Sequence, residues 1–215
     1  MQIIRPIKKC WKWLTMLSLA LLMLGTTEVA YSAPKTVLVL GDSLSAEYGL
    51  ARGTGWVALL SERINEKKLS VSVVNASISG DTTSGGLARL PELLQKYQPN
   101  IVIVELGGND GLRGLPLNAT EQNFRAIVSA CQHAKAKVLL VGMQIPPNYG
   151  RIYTDQFTAM YGKIAKQMQL PLVPFLLEGV ADKPDLFQAD HIHMLAAAHP
   201  RILDNVWPYL LPLIK

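Results

Sequence analysis

The chain has 215 residues, 49% of them hydrophobic and 17% charged, with a formal net charge of +5. That apolar content excludes an intrinsically disordered chain, and the length suits a single domain with a sizeable core. Arg5, Lys8, Lys9 and Lys12 against Glu28 place +3 of the charge in residues 1–32; the remaining +2 is spread without any run beyond Lys67-Lys68, which is no argument for a nucleic-acid partner.

Residues 1–32 read as a signal peptide. A basic start is followed by an apolar stretch from Leu14 to Leu24, too short to span a bilayer comfortably, and Ala30-Tyr31-Ser32 puts small residues at the −3 and −1 positions of a cleavage site. The expected mature domain is residues 33–215, without a stable membrane anchor; an uncleaved N-terminal anchor is the alternative. Cys10 precedes the apolar stretch and is not placed for lipidation. Cys131 then has no internal partner and reads as a small buried thiol. An exported chain without disulfides fits the bacterial periplasm.

Val37 to Leu40 is an apolar run stopped at once by Gly41-Asp42-Ser43, which predicts a buried strand and a turn. Gly55 to Lys67 places Trp56, Val57, Leu59, Leu60 and Ile64 at helical spacing. Val71 to Val74 predicts a second strand, and Ser84 to Tyr97 a helix that kinks or starts late at Pro91. A third strand runs from Ile101 to Leu106, and Thr120 is the expected N-cap of a helix carrying Phe124, Ile127, Val128 and Cys131. Val138 to Val141 is the fourth strand; a Pro-rich loop leads to a helix opened by Thr154 or Asp155. Leu172-Val173 is a short strand among prolines, as a sheet edge allows, and the last helix carries Ile202, Val206, Trp207 and Leu210 with Pro200 in its first turn. Alternating strands and helices with continuously apolar strands predict an α/β domain of three layers, α/β/α and flavodoxin-like, around a five-stranded parallel sheet.

In a parallel sheet the carboxyl ends of the strands meet along one edge, so Gly41-Asp42-Ser43, Ser79-Gly80-Asp81 and Gly107-Gly108-Asn109-Asp110 can converge. Taken alone, the first of these is an ordinary strand-to-turn junction. Asp190-His191-Ile192-His193 is another polar interruption, before the last helix. Its two histidines also permit a metal-ligand reading, although no Cys or acidic cluster completes the set, and Asp190 also suits a cap on the last helix. Asp42, Asp81 and Asp110 suit hydrogen bonds to backbone amides at their turns, and His133 and His199 read as surface or helix-end residues.

With these blocks in order, the chain resembles the GDSL, or SGNH, hydrolases. The resemblance rests on Gly41-Asp42-Ser43-Leu44-Ser45, Asn75 to Thr82, Glu105 to Gly114 and Asp190-x-x-His193, and spans about residue 36 to the last helix. It implies Ser43 as nucleophile, His193 as general base and then acid, and Asp190 as the group that orients the imidazole. It also implies an oxyanion hole from the backbone N–H groups of Ser43 and Gly80 and the side-chain amide of Asn109. Where the family pattern reads Asp-Gly-x-His-Pro, this chain has His191 and Met194, and His191 competes for the role of base. The implied activity is hydrolysis of acyl esters and thioesters, including fatty acyl thioesters, aryl esters and lysophospholipids, with no metal or organic cofactor and a small-molecule substrate as partner. Ile78, Leu112, Leu115, Ile145, Pro146 and Tyr149 are candidates for an apolar substrate groove. A carbohydrate O-acetylesterase on the same scaffold and a non-catalytic binding module are the alternatives, and a monomer is expected.

Overall fold

The structure, a computed structural model, describes residues 34–215; the expected signal peptide and its cleavage site lie outside the described residues. Five strands, β1 (Lys35–Gly41), β2 (Val71–Asn75), β3 (Ile101–Glu105), β4 (Lys137–Val141) and β5 (Leu172–Val173), form one sheet in the order β2-β1-β3-β4-β5. Every neighbouring pair is parallel, which is the α/β sheet expected from the continuous apolar runs. Val37 to Leu40 and Val102 to Val104 are all 0% exposed, because β1 and β3 lie in the middle of the sheet with helices over both faces. The prolines around β5 fall at an edge of the sheet.

Helices α1 (Trp56–Glu66) and α6 (His199–Ile214) pack against each other on one face. On the other lie α2 (Thr83–Tyr97), α4 (Leu117–His133) and α5 (Arg151–Met168), with the short α3 (Gly108–Leu112) directly after β3. The largest buried side chains are Trp56, Tyr161, Phe124 and Phe157, each worth roughly 1.5–3 kcal/mol of apolar transfer. Cys131 is fully buried among them, and burial pushes its thiol up to about 12, leaving it inert.

Three helix starts differ from the expectation. Thr82 caps α2 by accepting from the Gly85 N–H, so the helix neither waits for Ser84 nor starts late at Pro91, which sits inside it on the exposed side. Pro116 precedes α4, and Thr120 lies a turn inside, its hydroxyl donating to Asp110 Oδ1 at 3.2 Å. Helix α5 opens at Arg151, and the Thr154 hydroxyl turns back to the Gly150 carbonyl at 3.2 Å instead of capping.

Candidate active site

The strand order changes direction between β1 and β3, and open α/β sheets bind ligands in the crevice outside that switch point. Gly41 is level with Glu105 in the β1–β3 register, so the Ser43 and Asn109 turns leave the sheet at the same height. The Ser43 turn is tight: the amides of Ser45 and Ala46 both donate to the Asp42 carbonyl, at 3.3 and 3.0 Å, and Leu44 N–H donates to Asp42 Oδ1 at 3.0 Å. Beneath it Glu105 is completely buried, accepting on Oε2 from the Ser45 hydroxyl at 2.6 Å, which in turn accepts from Trp56 Nε1 at 3.2 Å. Burial pushes the Glu105 carboxyl well above the usual carboxylate range and Asp42 up to about 6. A half-buried serine thus stands on a fixed polar platform.

The histidine comes from a different kind of support. Leu195 N–H donates to the Leu186 carbonyl at 2.7 Å, Gln188 N–H donates to the His193 carbonyl at 2.7 Å, and Phe187 bridges Met194 antiparallel. The segment 186–195 is therefore a small hairpin with Asp190 to His193 at its tip. Asp190 is not a cap on the last helix, since α6 begins only at His199. Asp190 Oδ1 accepts from the amides of Ile192 and His193, at 2.9 and 3.0 Å, while Oδ2 lies 2.7 Å from His193 Nδ1. That hydrogen bond from the imidazole, with the two amides, holds Asp190 down at about 2. His193 Nε2 lies 2.8 Å from Ser43 Oγ. Both ring nitrogens of His193 thus meet protein partners. The Tyr48 ring covers the imidazole, centroids 4.3 Å apart, a contact the sequence reading missed.

His191 takes no part in this chain. Its backbone lies in the left-handed region at φ 57, the conformation for which glycine is the strain-free choice, and its side chain is exposed on the cavity wall beside Ile192. Met194 is buried beneath the hairpin. His199 is a helix-end residue as expected, but a buried one: its Nδ1 accepts the Trp56 N–H at 3.0 Å.

Of the three expected oxyanion donors, Ser43 and Asn109 line one cavity, and Gly80 lies in the turn after β2, outside its lining. Asn109 Nδ2 donates one proton to Asp42 Oδ2 at 3.1 Å and keeps the other. Gly80 lies at φ 79, and its carbonyl accepts from Arg113 at 2.8 Å. Neither its N–H nor that of Ser43 meets an acceptor among the described residues. Arg89 ties the turn down, bonding Asp81 Oδ2 at 2.8 Å, the Ala76 carbonyl, and the Gly41 carbonyl at 3.2 Å. Asp42 and Asp81 accept from turn amides as expected, and Asp110 joins α2 to α3 by accepting from Thr83 N–H at 2.9 Å.

A cavity of about 440 Å³ opens from Ser43 and His193. Of the six groove candidates it is lined by Leu112, Ile145 and Pro146. Ile78, Leu115 and Tyr149 lie outside that lining: Ile78 is 53% exposed beside Gly80, the Leu115 carbonyl accepts from Tyr153, and Tyr149 donates to the Leu112 carbonyl from the rim. The wall also includes Met143, Phe175, Leu177 and Phe187, apolar residues of the segments after β4 and β5 that no motif marks. Hydroxyl, imidazole and carboxylate in series, with an apolar chamber alongside, make an arrangement competent for acyl transfer.

Comparison with known proteins agrees with this geometry. Residues 39–201 match the GDSL-like lipase/acylhydrolase family. "Esterase TesA" of Pseudomonas aeruginosa is 51% identical over 85% of this chain and 91% of its own. "Thioesterase 1/protease 1/lysophospholipase L1" of Escherichia coli K12 is 48% identical over 86% and 87% respectively. A solved structure described as the crystal structure of TesA superimposes with a TM-score of 0.81 at 52% identity, covering 83% of this chain and 99% of that one. The chain is an enzyme of the GDSL-like lipase/acylhydrolase family, with the SGNH hydrolase fold.

Proposed function

We propose that the protein hydrolyses acyl esters and thioesters through an acyl-Ser43 intermediate. The observation that carries this reading is the continuous series Asp190, His193, Ser43, with links of 2.7 and 2.8 Å, opening onto the apolar cavity. As the Ser43 oxygen attacks the substrate carbonyl, its proton passes to His193 Nε2, and Asp190 stabilises the imidazolium. The charge that develops on the carbonyl oxygen is met by the amides of Ser43 and Gly80 and by Asn109 Nδ2, donors of a kind worth roughly 3–4 kcal/mol each. His193 then protonates the departing alcohol or thiol. Water, deprotonated by the same nitrogen, releases the acid and restores the serine.

The cavity volume of about 440 Å³ lies within the roughly 300–1,000 Å³ of small-molecule sites, far more than an acetyl group fills. Fatty acyl thioesters, aryl esters and lysophospholipids are the proposed substrates, in keeping with the names of the relatives. Residues 1–32, with their basic start, apolar stretch and small-residue cleavage site, support export to the periplasm, where we expect a monomer. Among the described residues no helix is long and apolar enough to cross a membrane.

The test is labelling by a fluorophosphonate with peptide mapping, alongside hydrolysis of acetyl and long-chain p-nitrophenyl esters. The expected result is one label per chain, on Ser43, abolished in Ser43→Ala and His193→Ala and retained in His191→Ala. A label elsewhere, or equal loss in both histidine variants, overturns the assignment. Strict preference for the acetyl ester replaces the lipid reading with the carbohydrate O-acetylesterase one.

A further inference from the structure

We propose that Gln188 is a positioning residue that locks the hairpin bearing His193 onto the turn bearing Ser43. The inference rests on the hydrolase reading above and concerns how its geometry is held. Ser43 and His193 are 150 residues apart in sequence, and His193 stands at a hairpin tip outside the sheet, so their 2.8 Å separation depends on what holds the hairpin down.

Gln188 reaches both sides. Its side-chain Nε2 donates to the Tyr48 carbonyl at 2.9 Å and to the Met194 carbonyl at 3.0 Å. Its backbone N–H donates to the His193 carbonyl at 2.7 Å, and its own carbonyl accepts from His191 N–H at 3.0 Å. Tyr48 belongs to the serine segment: its N–H donates to the Ser43 carbonyl at 3.5 Å, and its ring rests on the His193 imidazole. One amide group therefore joins the carbonyl of the residue that covers the imidazole to the carbonyl of the residue that follows it. Both acceptors are carbonyls, so only the nitrogen end of the amide fits there, and both of its protons are used.

Gly49 shows how closely the amide is seated. A Cβ at that position would run into Gln188 Oε1, and the backbone is at φ 71, which a side chain rarely adopts. The hairpin backbone does not fix its own shape. Met194 does not have the fixed φ of a proline, and His191 occupies a left-handed position without being glycine. A lock between segments supplies the register that the hairpin backbone alone does not.

Misplacing a catalytic group by about 1 Å costs on the order of 10²-fold in rate. Gln188→Ala, the near-isosteric Gln188→Glu and Gly49→Ala are compared with wild type, each checked for native circular dichroism. Gln188→Glu replaces two donors with oxygen against two carbonyls; Gly49→Ala displaces the amide without altering Gln188. Each is expected to lower kcat for p-nitrophenyl butyrate, and the rate of fluorophosphonate labelling at Ser43, by about 10- to 100-fold with KM within about twofold. The Gly49→Ala/Gln188→Ala double variant is expected to lose less than the product of the two single losses, because both changes break one contact; what Gly49→Ala adds is the strain of a Cβ at φ 71. If Gln188→Ala does not fold, Gln188→Glu and Gly49→Ala carry the same comparison.

Wild-type kcat and labelling rate in the folded Gln188 variants overturn the lock, as do multiplicative losses in the double variant or a loss confined to KM. A wild-type chain that takes no label defeats the hydrolase reading and the lock together. A labelled wild type with fully active Gln188 variants defeats the lock alone.

Discussion

The two halves of the candidate active site are held by different physics. Ser43 and Asn109 leave the two central strands at one level, over the wholly buried Glu105, with Asp42 bonded to both turns. Asp190 and His193 stand on a hairpin tip, stabilised by amides of their own loop and by contacts to the serine segment. The sheet side draws its precision from the packed core, whose interior resists displacement. The hairpin side draws it from a handful of hydrogen bonds, each worth about 0.5–1.5 kcal/mol net. The proposed nucleophile and Asn109 are thus built into the scaffold, whereas the proposed base is docked onto it.

Among changes that leave Ser43 and His193 in place, the largest effect is expected from Asp190→Asn. It keeps the shape and removes the charge that stabilises the imidazolium, and a fall in kcat of about 10⁴-fold is expected, as for orienting carboxylates in such triads. Steady-state kinetics on an aryl ester measure it, and a loss below tenfold would show that His193 is oriented by something else. On the sheet side, Asn109→Ala removes one proposed oxyanion donor and is expected to lower kcat by about 10²–10³-fold with KM little changed. A change mainly in KM would mean that Asn109 binds the ground state, and the contrast between scaffold-borne donors and a docked base would blur.

The smallest effect concerns stability at the junction of α1 and α6. Burial holds His199 below its ordinary value, so the folded state binds fewer protons there than the unfolded state. Stability contributed by neutral His199 is complete above the unfolded value of about 6.5 and declines as pH falls through it. His199→Asn, which keeps an acceptor for the Trp56 amide, is expected to flatten the drop in urea midpoint between about pH 7.5 and 5.5. Asp42 and Glu105, whose carboxyls are raised, act in the opposite sense but equally in both proteins. Parallel midpoint curves for the two proteins would remove His199 from the account.

The strands were readable because a buried parallel strand is a bare apolar run, as at Val37 to Leu40 and Ile101 to Val104. The turns that carry Ser43, Gly80 and Asn109 were readable because each follows such a run. Helix starts were less so: the hydroxyls of Thr120 and Thr154 look like caps in sequence but bond Asp110 and the Gly150 carbonyl from inside the first turn. Half of the groove candidates missed the cavity because an apolar residue in a loop carries no periodicity to say which way it points. Met143 and Phe175 line the wall and Ile78 does not, yet nothing local distinguishes them. Gln188 and Tyr48 were invisible for a related reason. A side chain that bonds distant carbonyls, or lies on a distant ring, is defined by tertiary approach and leaves no spacing to find.

The cavity wall has a consequence of an evolutionary kind. Met143, Ile145, Phe175 and Leu177 come from the segments after β4 and β5, and none of them is a member of the Asp190–His193–Ser43 series or a proposed oxyanion donor. Mutation can therefore reshape the chamber without touching the reacting atoms. A lineage with this layout can explore new acyl groups one wall residue at a time while every intermediate keeps a working engine.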